Sequence, residues 1–149
     1  MRYRAAVALS DERKARFLGV VPLFAGISAE SMSRLAAVAG EQEFTAGQFI
    51  VRQGQVGTGL YVIVDGSVQV VRGANDVLAT LTAGDFFGEL SVIDQQPRNA
   101  SVQAAQPTTV LAVASWDLLA LLEQDPALSL NLIKGLVVRV RAGGEQHRH

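Results

Sequence analysis

The chain has 149 residues, 49% of them apolar and 18% charged, which suits one compact domain with a real core and excludes a disordered chain. Thirteen basic residues against fourteen acidic ones leave a net charge of −1, so no global field draws the chain to nucleic acid or to an anionic membrane surface. Zero cysteines, and two histidines confined to His147 and His149, exclude a disulfide scaffold, a thiolate or imidazole metal cage, and cysteine or Ser-His-Asp catalysis in the core.

The apolar run Ala5 to Leu9 is too short for a secretory signal and is closed off by Asp11 and Glu12. Nowhere do eighteen apolar residues run together, so the expectation is a cytoplasmic protein without a membrane domain. Residues 10 to 40 read as helical. Ser10 is an N-cap with Asp11 and Glu12 in the first turn, Pro22 breaks the pattern, and Ser28 caps a second helix that Gly40 stops.

From about residue 42 to 114 the period changes. Phe44, Phe49, Ile50 and Val51 lie in short runs punctuated by glycine. In L-Y-V-I-V-D-G-S-V-Q-V-V, the Asp65-Gly66 pair is a hairpin signal, and Val68 and Val70 alternate with polar residues as in a half-buried strand. Further strands are expected in V-L-A-T-L-T, A-S-V-Q-A-A and T-T-V-L-A-V, with a turn at Ala83-Gly84-Asp85. Short strands at this spacing predict a small antiparallel sandwich or barrel.

Residues 115 to 142 return to helix. Ser115 caps one helix, Asp125-Pro126 starts another, and Gly143-Gly144 ends it. The last helix carries two apolar lines: Leu128, Leu132 and Leu136 on one, Ile133, Val137 and Val140 on the other. Packing of the whole helix on the sheets accounts for both lines; so does one line meeting a partner helix or moving.

Residues 86 to 102, F-F-G-E-L-S-V-I-D-Q-Q-P-R-N-A-S-V, stand apart, being neither a clean strand nor a long helix. Gly88-Glu89-Leu90-Ser91 can form one helical turn with free backbone N–H groups, and Arg98 can reach back over it. A guanidinium fork beside such donors suits a phosphate. A carboxylate alongside suits sugar hydroxyls instead, and phosphate plus ribose means a nucleotide. On pattern alone, the spacing of Glu89 and Arg98 favours a structural ion pair, and Gly88 reads as turn punctuation.

The order F-G-E-L-S-x-I-x-x-x-P-R-x-A-S-V resembles the phosphate-binding cassette of cyclic nucleotide-binding domains, as found in the catabolite activator protein, in regulatory subunits of cAMP-dependent kinase and in cyclic nucleotide-gated channels. V-P-L-F-A-G-I-S, R-Q-G-Q-V-G, L-Y-V-I-V-D-G-S-V-Q-V and L-T-A-G-D-F-F-G-E resemble other signatures of the family, in order, from about Phe17 to Arg141. The resemblance implies a mainly β fold: an eight-stranded antiparallel jelly-roll barrel with N-terminal helices and two C-terminal helices. It implies that Glu89, with the Gly88 backbone, accepts the ribose 2′-hydroxyl. Arg98 would pair with the phosphate beside the amides of Ser91 and Asn99, while Leu90 and Ala100 line the same turn and strand. Leu132, Leu136 and Val140 are candidates for a lid over the base. Asn99 departs from the family, which usually has Ser, Thr or Ala there.

The resemblance also implies binding without catalysis, and no metal or resident cofactor. The expectation is a stand-alone receptor for cAMP, with cGMP as the other candidate ligand, acting through its C-terminal helix on a separate effector protein. A homodimer through that helix is a further candidate, and no DNA-binding or kinase domain is expected within the 149 residues. A degenerate domain that binds no nucleotide and serves as a protein-interaction module is the alternative. A metal-dependent jelly-roll enzyme would need barrel histidines, and none exist here.

Overall fold

The computed structural model describes residues 9–57, 59–89, 93 and 95–146, with side chains through 142. Helix α1 (Asp11–Leu18) is followed by a 3₁₀ turn (Pro22–Phe24) and α2 (Ala29–Val38). The strands are β1 (Gly40–Phe44), β2 (Phe49–Val51), β3 (Gly59–Asp65), β4 (Ser67–Arg72), β5 (Asp76–Thr82), β6 (Phe86–Phe87), β7 (Ser101–Ala104) and β8 (Thr108–Ala114). Helices α3 (Ser115–Gln124) and α4 (Pro126–Gln146) close the described chain.

All ladders are antiparallel and form two four-stranded sheets, ordered β1-β8-β3-β6 and β2-β7-β4-β5. The eight strands agree with the expected fold. The closed barrel does not: among the described residues no ladder joins one sheet to the other. The reason lies partly at Asp65-Gly66, expected as a hairpin. Its flanking strands do not pair with each other; β3 belongs to the first sheet and β4 to the second. Gly66, at φ +100, carries the chain across, and a Cβ there would stand 2.5 Å from the Pro107 carbonyl oxygen and from the Thr108 hydroxyl. Asp65 lacks the positive φ that a type I′ turn requires. The true hairpin joins β4 to β5 through Gly73, with Arg72 opposite Asp76.

The layers explain the sequence pattern. Leu60, Val62, Leu111 and Val113 face the helices and pack with Leu18, Phe24, Leu35, Leu118, Leu121, Leu128 and Leu132. Ile63 and Val110 face the other sheet and pack with Val51, Val68, Phe87 and Val102. Strands β3 and β8 are thus covered on both sides, which is why they read as near-continuous apolar runs. Strand β5, half in solvent, is mostly exposed.

Ser10 and Ser28 cap their helices as expected, accepting from the amides of Arg13 at 3.2 Å and Ser31 at 3.0 Å. The turn at Ala83-Gly84-Asp85 is also present, with Gly84 at φ +92. Other terminators differ. Helix α2 ends at Val38, and Gly40 opens β1. Ala114 occupies the cap position of α3 without a side-chain bond, leaving Ser115 inside the first turn. Helix α4 runs through Gly143 and Gly144 to Gln146, 21 residues or about 30 Å. Both glycines keep helical backbone; glycine stops a helix only where it turns left-handed.

Candidate functional site

Strand β6 places the site. Phe86 and Phe87 pair with Val62 and Tyr61 at the edge of the first sheet, and Phe87 stacks on the Tyr61 ring at 5.1 Å. The chain then turns at Gly88, φ +92, into Glu89, which has helical backbone and is only 3% exposed. Leu90 and Ser91, named as candidates, lie outside the described residues.

Arg98 arrives from the other side. Its backbone is pinned between N–H to the Gln55 carbonyl at 2.8 Å and C=O to the Gly54 amide at 2.8 Å, just after the bridge between Val56 and Pro97. The side chain turns inward, 8% of the residue remaining exposed. Its Nη2 donates to the Gly59 carbonyl at 3.3 Å, and the guanidinium lies 5.9 Å from the Tyr61 ring centroid. A Cβ on Gly88 would meet Arg98 Nη1 at 2.9 Å, so the guanidinium does reach back to the turn. Among the described residues no carboxylate stands within ion-pairing distance of it. Burial pushes the Arg98 guanidinium below the usual arginine range, while Tyr61 and Glu89 act in the opposite direction.

Glu89 and Arg98 are therefore neighbours but not the ion pair that spacing alone allowed. Glu89 pairs instead with Arg139 of α4, at 2.7 Å between Oε2 and Nη1. No spacing rule singles out Arg139, one of three cations of α4 with Lys134 and Arg141; it lies one turn after Gly135. Asn99 is exposed and Ala100 buried beside Arg98. Of the proposed lid residues, Leu132 is buried in the helix-facing core, Leu136 packs at its margin, and Val140 is 71% exposed. No group of three metal-ligating side chains occurs among the described residues.

The family model for the cyclic nucleotide-binding domain matches residues 41–125. The chain belongs to the cyclic nucleotide-binding domain family. The matched segment holds both sheets but for Gly40, with the cassette and α3, so Gly88, Glu89 and Arg98 all fall inside it.

Among its relatives is the cyclic AMP receptor protein of Thermus thermophilus, 34% identical over 80% of this chain and 57% of that protein. Another is the cAMP-dependent protein kinase regulatory subunit of Schizosaccharomyces pombe, 37% identical over 65% of this chain and 23% of that one. The domain thus spans less than two thirds of either relative's length. Of solved structures, the Thermus thermophilus catabolite activator protein superposes with a TM-score of 0.76 at 32% identity, over 84% of this chain and 61% of that one. The regulatory domain of Toxoplasma gondii PKA, crystallised with cAMP, gives 0.75 at 28% identity, over 84% and 49%.

Proposed function

We propose that this domain is a receptor for a 3′,5′-cyclic nucleotide, cAMP most simply, that works by binding alone. Arg98 takes the phosphate, Glu89 takes a ribose hydroxyl, and Gly88 lets the backbone approach both. The family resemblance assigns the Ser91 and Asn99 amides to the same phosphate, and Leu90 and Ala100 to the same ligand.

The observation that carries this reading is Arg98. A guanidinium so far from water, with no described carboxylate paired to it, leaves a desolvated charge that an anion would compensate. A planar fork suits phosphate, and the carboxylate alongside would repel a second phosphate but accept a hydroxyl. Calorimetric titration of the purified chain with cAMP and cGMP tests it. Saturable binding of one is expected. No binding of either would overturn the reading and leave a nucleotide-free interaction module.

The signal leaves through α4 to a separate effector, in the cytoplasm. This helix packs Leu128 and Leu132 inward and leaves Leu130, Ile133, Val137 and Val140 exposed. Steps of three, four and three residues form a coiled-coil-like seam, and we assign that seam to a second copy of the chain. Light scattering at rising concentration should show a dimer that Val137→Glu splits; a monomer at every concentration would remove the assignment.

A further inference from the structure

We propose that Tyr61 is a positioning residue for Arg98: its ring and the Gly59 carbonyl form a neutral seat on β3 that holds the buried guanidinium in place and leaves its charge for an anion. The effect on nucleotide affinity rests on the receptor reading above; the seating of Arg98 does not.

Strand β3 builds the seat by alternation. Leu60 and Val62 face the helices, whereas Tyr61 and Ile63 face the layer between the sheets. Arg98 reaches β3 from the side of the second sheet, and its guanidinium lies over the Tyr61 ring, 5.9 Å from the centroid. Its Nη2 donates to the Gly59 carbonyl, two residues earlier on the same strand, at 3.3 Å. The point that a Cβ on Gly88 would take lies 2.8 Å from that carbonyl oxygen, 2.9 Å from Arg98 Nη1 and 3.4 Å from Tyr61 Cδ1. Backbone, cation and ring thus line one small space. Phe87 fixes the ring in turn: the two residues pair across β3 and β6, and their rings stack 14° from parallel.

A buried cation needs a compensating group. A carboxylate against Arg98 would supply one, but it would also neutralise the charge and stand where an anion must bind. A ring face, negative by its quadrupole, and a carbonyl dipole both attract the guanidinium while carrying no net charge. The attraction to the ring strengthens where water is excluded, as it is at Arg98. The seat therefore lowers the cost of burying Arg98 and spends none of its charge. The ring does this and the phenol hydroxyl does not, so phenylalanine serves at position 61 and leucine, apolar but without a π face, fails.

The test uses the full chain with Tyr61→Leu and Tyr61→Phe. Tyr61→Leu should weaken cAMP binding by about five- to thirtyfold, the range of a cation–π contact out of water. Tyr61→Phe should restore affinity to within about threefold of the wild type, by the same conversion. Val68→Ala, on β4 in the same core, should lower the melting temperature and leave affinity unchanged, which separates seating from loss of stability. Melting temperatures also read the seat without ligand: Tyr61→Leu should cost more in the wild type than in Arg98→Met, where no cation remains to be held. If the wild type binds cAMP and Tyr61→Leu binds as tightly, or Tyr61→Phe or Val68→Ala loses as much as Tyr61→Leu, the seat is wrong and Tyr61 only packs. If the wild type takes no cAMP, the receptor reading falls and melting decides: equal costs in the two backgrounds sink the seat as well, and a larger cost beside Arg98 sustains it.

Discussion

Gly88 and Arg98 share one volume: a Cβ on residue 88 would lie 2.9 Å from Arg98 Nη1 and 2.8 Å from the Gly59 carbonyl that accepts from Arg98 Nη2. The turn and the buried cation fit together because residue 88 has no side chain and sits at φ +92. Gly88→Ala should therefore carry both strain, about 1–3 kcal/mol, and displacement of the guanidinium. Gly84, at the same φ with nothing within 4 Å, separates the two. Gly84→Ala should lower the melting temperature and keep nucleotide affinity; Gly88→Ala should lower both, affinity by at least about tenfold. Equal affinities in the two variants would show that the Gly88 contact does not position Arg98.

Arg98→Ala and Glu89→Ala should differ in size. Loss of Arg98 strands a ligand charge in a partly desolvated site, at a cost of about 2–5 kcal/mol. Loss of Glu89 removes a hydroxyl acceptor worth about 1.5–3 kcal/mol, the smaller of the two losses. Calorimetry with cAMP ranks them. Arg98→Ala with wild-type affinity would remove the phosphate assignment.

Asn99 offers one carbonyl acceptor and two amide donors from an exposed position. One uncharged hydrogen bond in that setting is worth about 0.5–1.5 kcal/mol, so cAMP and cGMP should both bind, within about tenfold of each other. A thousandfold preference in competitive titration would show that other residues choose the base.

Asp125, buried between α3 and α4, ties the start of α4 to the start of α2. It accepts from the Ser28 amide at 3.0 Å and the Ala127 amide at 3.1 Å. The Ser28 amide, then the Ser31 hydroxyl, and more weakly the Leu128 and Ala127 amides hold its carboxyl below the usual range, against the opposing effect of burial. A depressed folded-state pKa adds stability above the unfolded value of about 3.9 and loses it as pH falls through the lower folded value. Asp125→Asn should melt below the wild type at pH 7, and the gap should close below about pH 4. A gap that stays constant down to pH 3 would show that the charge on Asp125 does not contribute.

The sequence by itself determined most of the elements and marked the cassette segment by its resemblance to the family. Ser10 and Ser28 cap because a short hydroxyl satisfies the orphan amides one turn on, a wholly local bond. Strands β3 and β8 announce themselves by apolar runs, since both of their faces are covered. The cassette is legible because its resemblance to the family rests on the order of residues in one short segment, Phe86 to Val102. The rest belongs to tertiary structure. Asp65-Gly66 has the residues of a hairpin, yet Gly66 carries the chain between sheets, because Pro107 and Thr108, some forty residues on, press against it. Gly143-Gly144 has the residues of a helix stop and keeps helical backbone instead. Which apolar line of α4 faces inward was undecided by periodicity and settled by the core around Leu128 and Leu132. The partner of Glu89 was undecided in the same way. Arg98 shares its segment, but Arg139, fifty residues away, wins the bond because Gly135 lets α4 close on Phe86, and no local pattern encodes a contact between a helix and a turn that distant.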